Sequence, residues 1–198
     1  MIRIDIKNIS KKYDEKSVFD NLCESFEAGK VNVYMGTSGC GKTTLLNIIA
    51  GLSGAHDGRV VFTDEVSGKE KTRKDIKFSM IFQEYRLCEN MTTLSNVMFA
   101  CKRKQKSHAM ELLEELGLKE CANEPAGSLS GGMKARVAIA RALIADYDVM
   151  LADEPFTGLD DTTKRSVMEC FKKMTKGKTV ILVTHSEDEK GFFDGEDK

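Results

Sequence analysis

Polar and apolar positions alternate from the first residues: Ile2, Ile4 and Ile6 are separated by Arg3, Asp5 and Lys7, the period of two expected of a half-buried strand. Val31 to Met35 is a second short strand, and it runs directly into glycine-rich sequence. Beyond that loop the spacing becomes helical, with Leu45, Ile49 and Leu52 on one face and Gly51 placed to stop the helix. Gly58 to Phe62 reads as a hairpin strand, and residues 64 to 77 as a polar, solvated connection. Lys77 to Phe82 is a further strand that ends at Gln83.

Residues 84 to 128 have helical character and form a candidate helical subdomain; in His108 to Leu118 the stripe is Leu112, Leu113 and Leu116. A second strong helix follows Leu129 to Gly132, with Met133, Val137, Ala140 and Ile144 on a shared face. Val149 to Ala152 and Val180 to Val183 are continuous apolar runs, the pattern of strands covered on both sides in a parallel sheet. Strands alternating with helices predict an α/β fold.

Composition narrows the class. The 198 residues suffice for one domain, and 41% apolar with 31% charged residues excludes a disordered or collagen-like chain. A formal charge of −1 gives no global field for nucleic acid, so a polyanion must be bound locally. The longest apolar run, Val97 to Cys101, is far below the roughly 20 residues of a membrane-spanning helix. The N-terminus has no signal-peptide core, which predicts a cytoplasmic protein. Six cysteines are scattered singly without metal-type spacing, and reduced thiols are expected.

The chemistry concentrates in Gly36-Thr37-Ser38-Gly39-Cys40-Gly41-Lys42-Thr43, which fits G-x-x-x-x-G-K-[ST] between a strand and a helix. Glycines let consecutive backbone N–H groups face one phosphate chain, and the positive end of the following helix adds to them. Lys42 supplies a charge for the β and γ phosphates, Thr43 a hydroxyl ligand for Mg²⁺, and Thr44 completes the loop's nucleotide-binding set. Four apolar residues then deliver Asp153 and Glu154 at a strand end, where open α/β sheets place their ligands. Neighbouring strand residues point to opposite sides, so Asp153 is assigned to the metal and Glu154 to polarising an attacking water. Ser130, Gly131 and Gly132 open a helix as a second anion-binding N-terminus in a chain with one phosphate loop. The economical explanation is that a second copy offers these residues to the first copy's nucleotide.

The phosphate loop, Gln83, LSGGM at 129 to 133, Asp153 and Glu154, GLD at 158 to 160, and His185 in VTHS occur in one order. Together they resemble the nucleotide-binding subunit of an ABC transporter, over residues 2 to about 186. The resemblance implies one P-loop NTPase domain over residues 1–198, with a mostly parallel core sheet, a small antiparallel β-subdomain and the helical subdomain. It assigns Tyr13 to stacking on adenine and Gln83 to Mg²⁺ or the attacking water and to sensing a membrane subunit. It also assigns Asp160 to the loop crossing a dimer interface, and His185 to the γ phosphate and to steadying Glu154.

ATP and Mg²⁺ are the implied ligands. The implied partners are a second copy joined head to tail, a transmembrane permease and, through it, a solute-binding protein, with no direct nucleic acid. The implied place is the inner face of the cell membrane. Gln83-Glu84 followed by RLCENMTTLSNV, and the methionine of LSGGM, look most like importers of nitrate, sulfonate and taurine. Alternatives are ATPases of lipoprotein release, drug export or cell division, an ABC-type ATPase acting on DNA or ribosomes, and a generic P-loop kinase or GTPase. The chain departs from the family in Met133 and Ala135, where glutamines are usual, and in its short end after His185. Six acids among residues 187 to 198 predict a short helix and a solvated tail. The basic stretch Lys102 to Lys106 reads as a solvated helix end, with a face for anionic lipid or the permease as the alternative, and His56 and His108 as surface residues.

Overall fold

The computed structural model describes residues 1–14, 16–101 and 106–195; most of the basic stretch, 102–105, and the last three residues of the acidic tail lie outside them. The chain divides into two compact units: Met1–Phe78, Tyr147–Asp153 and Lys176–Lys198 form the first, Ser79–Asp146 and Glu154–Thr175 the second.

In the first unit, strands β1 (Ile2–Tyr13), β2 (Lys16–Phe26), β4 (Asp57–Asp64) and β5 (Lys69–Lys71) form an antiparallel sheet in the order β2-β1-β4-β5. The expected alternation is present: Ile2, Ile4 and Ile6 are buried, and Ile4 pairs with Phe26 on one side and Phe62 on the other. Strands β3 (Val31–Met35), β8 (Thr179–Thr184) and β7 (Val149–Asp153) pair in parallel, Val33 opposite Leu182 and Leu151 opposite Ile181. Every residue of β7 and β8 is buried, which explains their uninterrupted apolar sequence. The Thr179 hydroxyl joins the two sheets, donating to Ile2 O at 2.8 Å and accepting from Gly29 N–H at 3.0 Å. Helix α1 (Lys42–Ala50) packs on β7 and β8.

Two expectations are corrected here. Gly51 does end α1, in the left-handed conformation, but the helix stops before Leu52, which is 63% exposed rather than part of the apolar stripe. Residues 64 to 77 are not all loop: β5 pairs with the end of β4, and Thr72 and Asp75 form a capping box around a 3-10 turn at Arg73–Asp75. Arg73 then caps α1 from outside, donating to Ile48 O and Ile49 O at 3.1 Å each.

Strand β6 (Phe78–Ile81) begins at the boundary between the units. The second unit contains α2 (Thr93–Met98), α3 (Lys106–Glu115), α4 (Gly131–Leu143) and α5 (Asp161–Met174), and α4 packs against the other three. Leu112, Leu113 and Leu116 are buried as their spacing predicts, as are Val137 and Ala140, while Met133 and Ile144 are only half-buried. The region from 84 to 92 is irregular rather than helical. Asn96, 1% exposed, organises it by accepting from Cys88 N–H at 2.8 Å and donating to Cys88 O, Met91 O and Thr92 O. The last element among the described residues is a short helix as expected, α6 (Glu187–Asp194), capped by Ser186 with three acids in its first turn.

Candidate active site

Three parallel strands aim their C-terminal ends the same way. Met35 pairs with Thr184 and Asp153 with Val183, so Gly36 and His185 emerge from adjacent strands and Asp153 ends the third. The first unit thus collects the phosphate loop, Asp153 and His185 at one edge of its sheet, as the strand-loop-helix reading predicts.

Within the loop, Gly41 takes φ 100°, and a Cβ there would meet Val18 and Phe19. Around Gly39, φ 79°, a Cβ would find nothing within 4 Å, so the backbone faces open space. Lys42 is 5% exposed and donates to Gly36 O at 2.6 Å and Thr37 O at 3.1 Å. Its ammonium therefore spans the loop from inside. Thr43 Oγ1 donates to Asp153 Oδ2 at 2.6 Å, the length of a charge-assisted hydrogen bond, and Asp153 is 3% exposed. A hydroxyl and a carboxylate oxygen held together beside an anion cradle form the oxygen donor set that a hard divalent cation takes. The residues present fit both a nucleoside triphosphate and Mg²⁺.

Tyr13 ends β1 and is 48% exposed. The Ser53 side chain first, then Thr44 and the positive charge of the nearby Lys11, hold its phenol below the ordinary tyrosine value, against the opposing effect of desolvation. Because Thr44 lies in the first turn of α1, the ring sits beside the phosphate loop. Thr37, Ser38 and Cys40 are exposed along that loop, and His185 is exposed just past β8.

The second unit carries the remaining predicted residues. Ser130 caps α4, accepting from Met133 N–H at 3.3 Å. Gly131 faces open space, while a Cβ on Gly132 would come within 3.3 Å of Gly158 O. The SGG turn is therefore packed on the Gly158-Leu159-Asp160 loop. Asp160 caps α5, accepting from Thr163 N–H at 3.0 Å, and its bonds to the Thr163 backbone and hydroxyl hold its carboxyl below the ordinary aspartate value. Glu154 adopts φ 46°, an uncommon conformation for a residue with a Cβ, and its carbonyl accepts from Thr157 N–H at 3.2 Å. Gln83 is exposed just after β6.

Sequence reasoning missed the residues that hold the Gln83 segment. Arg141 donates to Tyr85 O and Arg86 O at 2.8 Å each, Tyr85 Oη donates to Thr157 O at 3.4 Å, and the Arg86 guanidinium lies 4.0 Å from the centre of the Phe82 ring. Nothing in the spacing of Arg141 distinguishes it from a solvated helix arginine. Of the histidines that match no motif, His56 Nδ1 accepts from Lys12 N–H at 3.2 Å, and both it and His108 are exposed as expected.

The family model described as ABC transporter matches residues 19–157. The phosphonates import ATP-binding protein of Fusobacterium nucleatum is 35% identical, over 92% of this chain and 82% of its own length. The sulfate/thiosulfate import ATP-binding protein of Pseudomonas syringae is 35% identical, and the match spans 94% of this chain but 60% of that protein. The taurine import ATP-binding protein of a Jannaschia species is 36% identical, over 96% of this chain and 74% of that one. Among solved structures, a bacterial ABC transporter cassette determined as a dimer superposes with a TM-score of 0.80 at 30% identity, covering 96% of this chain and 91% of that one. A dimeric cassette in a post-hydrolysis state bound to ADP and Pi superposes with a TM-score of 0.79 at 30% identity, with the same coverage.

Proposed function

The chain belongs to the ABC transporter family, and from that membership we propose that it is the ATP-binding and ATP-hydrolysing subunit of an importer. The Thr43–Asp153 pair beside the Lys42-braced loop carries the reading. Glycine-loop amides and Lys42 bind the phosphate chain, and Tyr13 offers a ring for the base. Thr43, Asp153 and Gln83 would hold Mg²⁺, which would supply positive charge against the phosphates. Glu154 accepts the proton of the attacking water, and His185 contacts the γ phosphate.

Two copies close head to tail over two nucleotides, each presenting Ser130, Gly131 and Gly132 to the other's phosphates and Asp160 to the shared interface. The dimeric state of the related cassette supports this arrangement. Closure drives a membrane permease, with a solute-binding protein acting through it. No helix among the described residues is long and apolar enough to cross a membrane, and we place the subunit on the inner face of the cell membrane through its permease. The cargo class is a small oxyanion such as a sulfonate or taurine, supported by the names of the taurine and aliphatic sulfonates import relatives.

The test is purification with the membrane protein it binds, reconstitution into vesicles, and ATP-driven uptake of taurine. Mg²⁺-dependent ATP hydrolysis with taurine uptake supports the full reading. Hydrolysis without uptake of any sulfonate overturns the cargo, and absent hydrolysis overturns the enzyme.

A further inference from the structure

The ring of Tyr13 is held on one face as well as at its edge. Lys11 Nζ lies over the ring, 4.8 Å from its centre. The ammonium is itself tied down, donating to Gly54 O at 2.7 Å. Gly54 belongs to a segment fastened to β1 at two further points: His56 N–H donates to Ser10 O at 2.9 Å, and Lys12 N–H donates to His56 Nδ1 at 3.2 Å. At the other end of the ring, the phenol lies near the Ser53 and Thr44 side chains.

A cation on one ring face draws π density toward itself. The opposite face then repels the electron-rich face of a stacked heterocycle less. We propose that Lys11 is the positioning residue of the base site: it fixes the plane of Tyr13 and closes one face, so that the purine stacks on the other. This inference rests on the reading of Tyr13 as the base platform, and it concerns only the nucleobase, since Lys11 stands apart from the phosphate loop in sequence and bonds.

The experiment compares Lys11→Met, Lys11→Arg and the unaltered chain, with ATP as substrate and inorganic tripolyphosphate, which has no base, as competing inhibitor. In Lys11→Met, KM for ATP rises about 2- to 5-fold, the size of an exposed cation–π contact, while kcat and tripolyphosphate inhibition stay as in the unaltered chain. Lys11→Arg keeps the cation and restores KM, and in a Tyr13→Ala background Lys11→Met has no further effect. An unchanged KM in Lys11→Met, an equal loss of tripolyphosphate inhibition, or an arginine variant no better than methionine overturns the proposal. Hydrolysis by the unaltered chain in the same assay tests the parent reading separately.

Discussion

Thr43 and Asp153 are 110 residues apart in sequence and joined by a 2.6 Å hydrogen bond from hydroxyl to carboxylate. Helix α1 and strand β7 thereby present two oxygens to one point before any cation arrives. Thr43→Val removes one of them while keeping the shape. The Mg²⁺ concentration for half-maximal hydrolysis should rise by at least the roughly 10- to 100-fold that losing a residue behind a metal ligand costs, and a Mg²⁺ titration of ATPase activity measures it. An unchanged midpoint would remove Thr43 from the metal site.

Glu154→Gln keeps size and polarity but cannot accept a proton. Turnover should fall roughly 10² to 10⁴-fold on general-base magnitudes, while nucleotide binding persists and ATP-bound dimers accumulate. Size-exclusion chromatography with ATP reads the dimer, and near wild-type turnover would exclude Glu154 as the base.

Cys40 is an exposed thiol on the phosphate loop, so close to Gly36 that a Cβ there would collide with its sulfur. A maleimide adduct at that position fills the cradle. Alkylation should abolish ATP binding, prior ATP should protect, and Cys40→Ser should hydrolyse ATP normally and resist the reagent. Inhibition of Cys40→Ser to the same degree would assign the effect to another cysteine, with Cys23 and Cys88 the other exposed ones.

Arg73 closes the C-terminal end of α1 with two bonds to carbonyls. Arg73→Ala should lower stability by about 1.5–3 kcal/mol, the range for hydrogen bonds to a charged group, without altering hydrolysis per folded molecule. Urea unfolding followed by circular dichroism gives the first quantity and an ATPase assay the second.

Asp160 links stability to pH. Its carboxyl is held below the ordinary value in the folded chain by Thr163, so the unfolded chain binds the proton more readily. The cap's contribution is fully present above the unfolded value of about 3.9 and is lost as pH falls through the lower folded value. Asp160→Asn, which caps without a charge, should show a shallower acid-induced fall in Tm than the unaltered chain below about pH 4. Identical acid profiles would mean that the charge of the cap contributes nothing.

Much of this architecture is legible because its causes are local. Ile2, Ile4 and Ile6 bury one face of a strand, and β7 and β8 bury both, so period two and continuous runs appear directly in the sequence. Strand β2 is hidden for an equally physical reason: its pairing with β1 slips between Ile6 and Ile9 and again up to Lys12, and Asn8 and Asn21 take left-handed conformations that break the alternation. The segment before α2 looks helical in composition but is ordered by the Asn96 carboxamide in place of a backbone ladder. In the site, the glycine loop and the two acids declare themselves by spacing. The left-handed backbone of Glu154, the Arg141 brace and the Lys11 cover on Tyr13 depend on tertiary partners that no spacing encodes.

Lys42 joins Gly36 and Thr37 through its ammonium, so the residue assigned to phosphate is also a strut of the loop that surrounds it. Any substitution there confounds two variables, lost charge and altered curvature, and a null activity cannot apportion them. The thiol of Cys40, riding on the same arc, offers an independent reporter. Its alkylation rate in a Lys42→Arg chain, which keeps the cation beside the thiol, compared with the unaltered one, reads the shape of the loop without reference to phosphate.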